Sequence, residues 1–240
     1  MPLTITHPWG TFKAWPDIVG HALETGVVWD QQIQATLERS DPAGWAIDLG
    51  ANIGFWTIWL ARRHPHVIAV EAHPSTYQLL LDNLHANGVM DRVEPYQCAA
   101  YDRPTEMALA PPEWVGWPIP DELNLDTCTY GSSVAFLPAA QVQKPALVQA
   151  RPIDDLIPAD VHVSVIKCDV QGCDLRALMG LERTITRCRP IICYEVETGA
   201  SVWHGDDLAA HEAWFKKLGY RVEVIQVGLW DFAAIPEERV

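Results

Sequence analysis

The residues of this chain that could do chemistry stand at the ends of apolar runs. The first set is Asp48-Leu49-Gly50-Ala51-Asn52-Ile53-Gly54, which continues out of the apolar run Trp45–Leu49. Gly50 and Gly54 permit positive φ and let a ligand approach the backbone closely. Their spacing is not the Gly-x-Gly-x-x-Gly of a dinucleotide turn, and a carboxylate directly ahead of the turn repels a pyrophosphate. Asp48 suits a ligand that carries positive charge. Glu71 closes the next apolar run, Val67–Glu71. A carboxylate there can accept hydrogen bonds from both ribose hydroxyls of an adenosine, and Ala72 leaves room for the base. S-adenosylmethionine, an adenosine with a sulfonium, an ammonium and no phosphate, meets both requirements. Asp48, Gly50, Ala51, Asn52, Gly54, Phe55, Glu71, Ala72 and Ala100 are therefore the candidate cofactor-binding residues, joined by Asp169.

A second set would serve the reaction. Asp169 and Glu195 each end an apolar run, with Glu197 one alternation further on, and His204 lies in the polar stretch Ser201-Val202-Trp203-His204-Gly205-Asp206-Asp207. A carboxylate or an imidazole can take a proton from a nucleophile or orient a substrate. Asp169 can alternatively cap the following helix, Glu195 can form an ion pair with Lys167, and His204 can be a surface histidine. His204, Asp206 and His211 match no standard metal-ligand spacing, so no metal is expected. The pair His64 and His66 falls at the opposite end of a strand.

These residues need a frame to bring them together. Trp45–Leu49, Val67–Glu71, residues 92–98, residues 161–168 and Ile191–Glu195 read as buried strands. Between them, residues 53–63 read as a helix, as does a stretch opened by His73-Pro74, lined by Tyr77, Leu80, Leu81 and Leu84 and closed by Gly88. Leu175, Leu178, Met179 and Ile185 share one helical face, and Leu208, Phe215 and Leu218 another. Residues 221–225 and 229–234 read as an antiparallel pair. The alternation predicts an α/β fold, a doubly wound and mainly parallel sheet of Rossmann-like type with an antiparallel C-terminal pair. Such sheets bind ligands beyond the carboxyl ends of their strands. The chain reads as a single domain over 1–240. Residues 1–44 form an entry segment with helices, and 103–150 form an insertion. The insertion carries Trp114, Trp117, Tyr130 and Ser132, which suit a substrate cover.

Composition narrows the partners. The net charge of −14 opposes binding to a polyanion, so nucleic acid is not expected and a small-molecule or saccharide substrate is. No run is long and apolar enough for a membrane span, and no secretory signal opens the chain. The six cysteines form no C-x-x-C pair, which fits reduced thiols and a cytoplasmic location. Oligomeric state is left open, a homodimer included.

Taken together, several of these runs resemble one family. Ala46-Ile47-Asp48-Leu49-Gly50-Ala51-Asn52-Ile53-Gly54-Phe55 is similar to motif I of the FkbM-type methyltransferases within class I. Ile166-Lys167-Cys168-Asp169-Val170-Gln171-Gly172-Cys173-Asp174-Leu175 resembles that family's second hallmark, usually I-K-x-D-V-E-G-x-E. Pro190-Ile191-Ile192-Cys193-Tyr194-Glu195 resembles its P-x-I-x-x-E strand, and Gly131-Ser132-Ser133 a stretch common in its insertion. The resemblance covers about residues 17–220. It implies S-adenosylmethionine as cofactor and O-methylation of a hydroxyl or carboxyl group on a small molecule, natural product or saccharide. N-methylation, a nucleotide-dependent oxidoreductase and a non-catalytic S-adenosylmethionine-binding protein are the competing readings. Gln171 replaces the usual glutamate and Asp174 is a shorter acid than usual. Glutamine is neither a base nor a strong cation ligand, so a role resting on that glutamate does not carry over.

Overall fold

The computed structural model describes residues 2–16, 18–25, 31–109, 146–196, 206–225 and 231–239. In chain order its elements are β1 (Leu3–His7), β2 (Gly10–Ala14), α1 (Ile18–Glu24), α2 (Gln31–Leu37), β3 (Trp45–Leu49), α3 (Phe55–Ala61), β4 (Val67–Glu71) and α4 (Pro74–Ala86). They continue as β5 (Val93–Gln97), β6 (Ala99–Ala100), β7 (Thr105–Leu109), β8 (Ala146–Arg151), β9 (Val163–Cys168), α5 (Asp174–Met179) and α6 (Glu182–Cys188). The last are β10 (Ile191–Glu195), α7 (Leu208–Lys217), β11 (Tyr220–Val224) and β12 (Asp231–Pro236).

Seven strands form the central sheet in the order β11-β12-β10-β9-β3-β4-β5. The five from β10 to β5 run parallel, and β12 and β11 are antiparallel additions at one edge. This is the expected α/β architecture with its antiparallel C-terminal pair. Side-chain alternation divides the core between the two faces. Ala46, Ala69, Val165 and Cys193 face α3, α4 and the N-terminal elements. Ile47, Ile68, Ile166 and Ile192 face α5, α6 and α7. Strands apolar on both faces require cover on both, and the two helical layers provide it.

Three local outcomes differ from the sequence reading. The entry segment opens with an antiparallel hairpin, β1 with β2, before its helices. The hairpin packs on α4, where Asn83 and Asn87 hydrogen-bond the Lys13 and Thr11 backbone. The helix read over Leu175 to Ile185 is two helices, because the chain turns at Gly180; a Cβ there would lie 2.1 Å from the Tyr101 carbonyl oxygen. The third strand stops at Gln97, and Ala99–Ala100 joins a small sheet of order β6-β8-β7. Its antiparallel pair β7 with β8 frames both ends of the proposed insertion. Trp114, Trp117, Tyr130, Ser132, Glu197 and His204 lie outside the described residues.

Candidate functional site

Chain order reverses at β3: β4 lies on one side of it and β9 on the other. The loops leaving β3 and β9 meet there. Gly50 has φ +74°, and a Cβ on it would stand 1.8 Å from the Asp169 carbonyl oxygen. Only glycine permits that approach. The loop continues through Asn52 at φ +51° and Gly54 at φ +93°. Asn52 tolerates the left-handed region because its Oδ1 accepts from the Ile53 N–H at 2.7 Å. From the opposite side, Asn83 of α4 donates through Nδ2 to the Ile53 carbonyl at 2.8 Å.

Asp48 lies beneath this loop and is fully buried. Its Oδ2 accepts from the Thr57 hydroxyl at 2.6 Å, and its Oδ1 lies 3.8 Å from Lys167 Nζ. Burial raises its pKa, with Lys167 and Thr57 opposing. A direct contact from this carboxylate to a ligand above the loop is not what the geometry offers; Asp48 acts through the loop and through Lys167. Phe55 and Ala100 are likewise buried, Phe55 stacked on Trp9 with ring centroids 4.6 Å apart. Their side chains belong to the core.

Glu71 is only partly buried. Its Oε2 accepts from the Asn52 N–H at 2.9 Å and its Oε1 from the His73 N–H at 2.8 Å. The end of β4 is thereby tied to the turn after β3. Burial pushes the Glu71 carboxyl up to about 7, against the pull of the two N–H groups, and the Asp169 and Asp48 charges push the same way. Ala72 stands beside it, half-buried.

Asp169 presents a partly exposed carboxylate at the end of β9, 41% accessible in its side chain. Its Oδ2 accepts from Lys167 at 3.2 Å and its Oδ1 from Gln171 Nε2 at 2.8 Å. Burial favours its neutral form, but Lys167 and Gln171 outweigh that and hold its pKa below the usual carboxylate range. Lys167 itself is buried and bridges Asp48 and Asp169. The alternative Lys167–Glu195 pair does not form, because Nζ lies toward Asp48, its register partner on β3, and Asp169. Glu195 instead accepts from Gln171 Nε2 at 3.3 Å. Asp174 is buried, its oxygens taking the Val170 N–H at 3.3 Å and the Glu195 N–H at 3.2 Å. Burial lifts it to about 7. It staples two strand ends and does not face a ligand.

The other ionisable groups go elsewhere. Arg176 binds Asp206 at 2.9 Å and Asp102 at 3.2 Å. His211 is buried, stacked on Tyr194 at 5.3 Å, and burial lowers its pKa. Among the described residues no three His, Cys, Asp or Glu side chains group as metal ligands. His64 and His66 sit ahead of β4, away from the loops, on the Gly44 carbonyl and Glu94. Sequence reasoning passed over Thr57 and Asn83. Each left a trace, a polar residue inside an otherwise apolar helical face.

The arrangement is a glycine turn flanked by the carboxylates of Asp48, Glu71 and Asp169, with Lys167 as the counter-charge in contact with two of them. The two carboxylates that keep an edge to solvent, Glu71 and Asp169, suit a cationic nucleoside and oppose a phosphate-bearing one. No curated protein matches. Among solved structures, methyltransferase FkbM from Methylobacillus flagellatus KT is similar at 17% identity and a TM-score of 0.52, over 80% of this chain and 44% of that one. This chain thus spans less than half of that protein's length. Precorrin-6y C5,15-methyltransferase from Geobacter metallireducens GS-15 aligns at 13% identity and a TM-score of 0.47, over 88% and 90% of the two chains. The model of the methyltransferase FkbM domain, whose methyl donor is S-adenosylmethionine, matches residues 48–222, from the glycine turn to β11, so the chain belongs to the FkbM methyltransferase family.

Proposed function

We propose that this chain transfers a methyl group from S-adenosylmethionine to an oxygen of a small molecule, a natural product or a saccharide, on a hydroxyl or carboxyl group. The observation that carries the reading is Glu71: its partly exposed carboxylate is locked to the Asn52 N–H of the glycine turn, beside the strand-order reversal. Asn52, Gly50, Ala51, Gly54 and Ala72 would cradle the ligand, and Glu71 would take the ribose hydroxyls. When bound, the cofactor supplies a methyl group on a sulfonium, a good leaving group. The chain's task is to align the nucleophile and receive its proton. Asp169 stays ionised and partly open, so it can accept that proton or hold the hydroxyl. Glu195 stands behind it through Gln171. Residues 103–150 would cover the substrate, and His204 would act from the segment after β10.

The described cysteines form no disulfide, which supports a reducing compartment such as the cytoplasm. No helix among the described residues is long and apolar enough to cross a membrane.

Calorimetry with S-adenosylmethionine tests the reading. Binding is expected, and Glu71→Ala should weaken it by about 1–3 kcal/mol, the scale of lost buried hydrogen bonds. Unchanged affinity in that variant removes Glu71 from the site. Binding of NAD in place of S-adenosylmethionine would return the oxidoreductase reading.

A further inference from the structure

A lysine inside a covered sheet face calls for a reason. Val165 of β9 faces the layer of α3 and α4, and by alternation Lys167 stands on the same face, level with Asp48 on β3 and Cys193 on β10. Its side chain is sealed from solvent. A methionine of similar length would pack there without the cost of taking an ammonium out of water, so packing alone does not call for lysine.

The ammonium is shared unequally. Nζ donates to Asp169 Oδ2 at 3.2 Å. It stands 3.8 Å from Asp48 Oδ1, too far for a hydrogen bond, and that oxygen has no hydrogen-bond partner. Asp48 takes the Thr57 hydroxyl through its other oxygen. The two carboxylates also differ in exposure, Asp48 being fully buried and Asp169 partly open. As the pH falls, burial favours a proton on Asp48 first, which leaves the ammonium to Asp169. Other acids surround Asp169. Glu71 at the end of β4 and Asp174 on α5 share mutual repulsion with it, and Glu195 at the end of β10 shares a side-chain hydrogen bond with it. Gln171 gives it a neutral donor. Lys167 brings positive charge into contact with it.

We propose that Lys167 is a positioning residue of the methyl-transfer site: from beneath the glycine turn, its ammonium fixes the Asp169 carboxylate at the end of β9 in its ionised, hydrogen-accepting form. The inference rests on the reading of Asp169 as the group that receives the acceptor's proton or holds its hydroxyl. It adds the residue that prepares Asp169 for that task. Lys167 acts through Asp169 and is neither base nor ligand itself. A lysine with a merely structural role would stabilise the sheet without setting where Asp169 takes up a proton.

The test uses the whole chain with S-adenosylmethionine, carrying 13C in the aspartate side-chain carboxyls and 15N in the lysine side chains. Asp169→Asn assigns the carboxyl signal, and slow proton exchange identifies the buried ammonium. Calorimetry comes first. Absence of S-adenosylmethionine binding in the unmodified protein overturns the cofactor reading and with it a role in methyl transfer; the failures below overturn this inference with that reading intact. In the unmodified protein the Asp169 signal should keep its ionised position down to about pH 4. Lys167→Met should raise its midpoint by about one pH unit or more, the scale of a lost opposite charge in contact. Lys167→Arg keeps the charge and should raise it by less than half as much. An unmoved midpoint in Lys167→Met, or equal rises in the two variants, overturns the inference. If the methionine variant does not fold, the unmodified protein decides: the Lys167 Nζ signal should move with the midpoint of Asp169. An ammonium signal that does not follow Asp169 overturns the inference.

Discussion

Affinity for S-adenosylmethionine should depend on pH through Glu71, with a determined sign. The Glu71 carboxyl is held up to about 7 because burial outweighs its two backbone hydrogen bonds. Its ionised form can accept a hydrogen from each ribose hydroxyl, whereas the protonated form carries a hydrogen of its own and loses an acceptor site. Raising the pH through 7 therefore strengthens binding. The ionised fraction is about 0.1 at pH 6 and about 0.9 at pH 8, so affinity should rise about tenfold, or about 1.4 kcal/mol. The free protein shows the opposite trend. Its Glu71 is raised above the ordinary value of 4.5, so the folded state holds the proton longer than the unfolded one. Stability then falls as the pH rises from 4.5 to 7, by about 3 kcal/mol from this group, and a bound cation offsets that loss. Calorimetry at pH 6, 7 and 8, in buffers of different ionisation enthalpy, reads both the affinity and the proton released. The α-amino group of the ligand titrates near ~8 and contributes in Glu71→Gln as well, so the difference between the two slopes belongs to Glu71. Equal slopes in the unmodified protein and the Gln variant refute the assignment.

Three further outcomes follow from the same geometry. Gly50→Ala places a Cβ 1.8 Å from the Asp169 carbonyl at φ +74°, and should cost more than about 3 kcal/mol in denaturant unfolding together with detectable S-adenosylmethionine binding. Lys167→Met leaves fully buried Asp48 without its cation and should cost about 3–5 kcal/mol at pH 8. That deficit should shrink as the pH falls, because burial favours the protonated Asp48 carboxyl; melting temperatures along a falling pH series check it. Asn83→Ala removes one buried hydrogen bond, to the Ile53 carbonyl, and two partly buried ones, to both Lys13 backbone groups, and should cost about 2–4 kcal/mol while weakening S-adenosylmethionine binding. Full affinity in that variant would detach the hairpin from the proposed cofactor turn.

Some of this molecule is decided locally, and that part is legible in the sequence. The runs that became β3, β4, β9 and β10 are apolar without alternation, which only a sheet covered on both faces accommodates. Position within them then places Asp48, Glu71, Asp169 and Glu195 at the carboxyl ends, where such sheets bind ligands. Gly50 and Gly54 mark the turn because positive φ is a backbone property that residue type reports directly. The N-terminal hairpin was not legible, since Leu3–His7 and Gly10–Ala14 are short and are held by Asn83 and Asn87, some seventy positions away. The break at Gly180 depends on the Tyr101 carbonyl pressed against it, which no helical period records.

The direction of each ionisable group was settled only in three dimensions. Asp48 and Glu71 are alike in sequence, each an acid at the carboxyl end of an apolar strand. Asp48 turns down onto Thr57 and Lys167 and is sealed in the core, while Glu71 lies against Asn52 and His73 and keeps an edge to solvent. Lys167 is the cross-strand partner of Asp48 on β3 and of Cys193 on β10, and it pairs with Asp48 and Asp169. Sequence by itself determined which residues stand at the strand ends, because burial patterning and glycine are local signals. The tertiary structure alone decided which carboxylates meet water, which meet a lysine, and which are joined by Gln171, because charge and hydrogen bonding depend on neighbours that the chain brings in from far along its length.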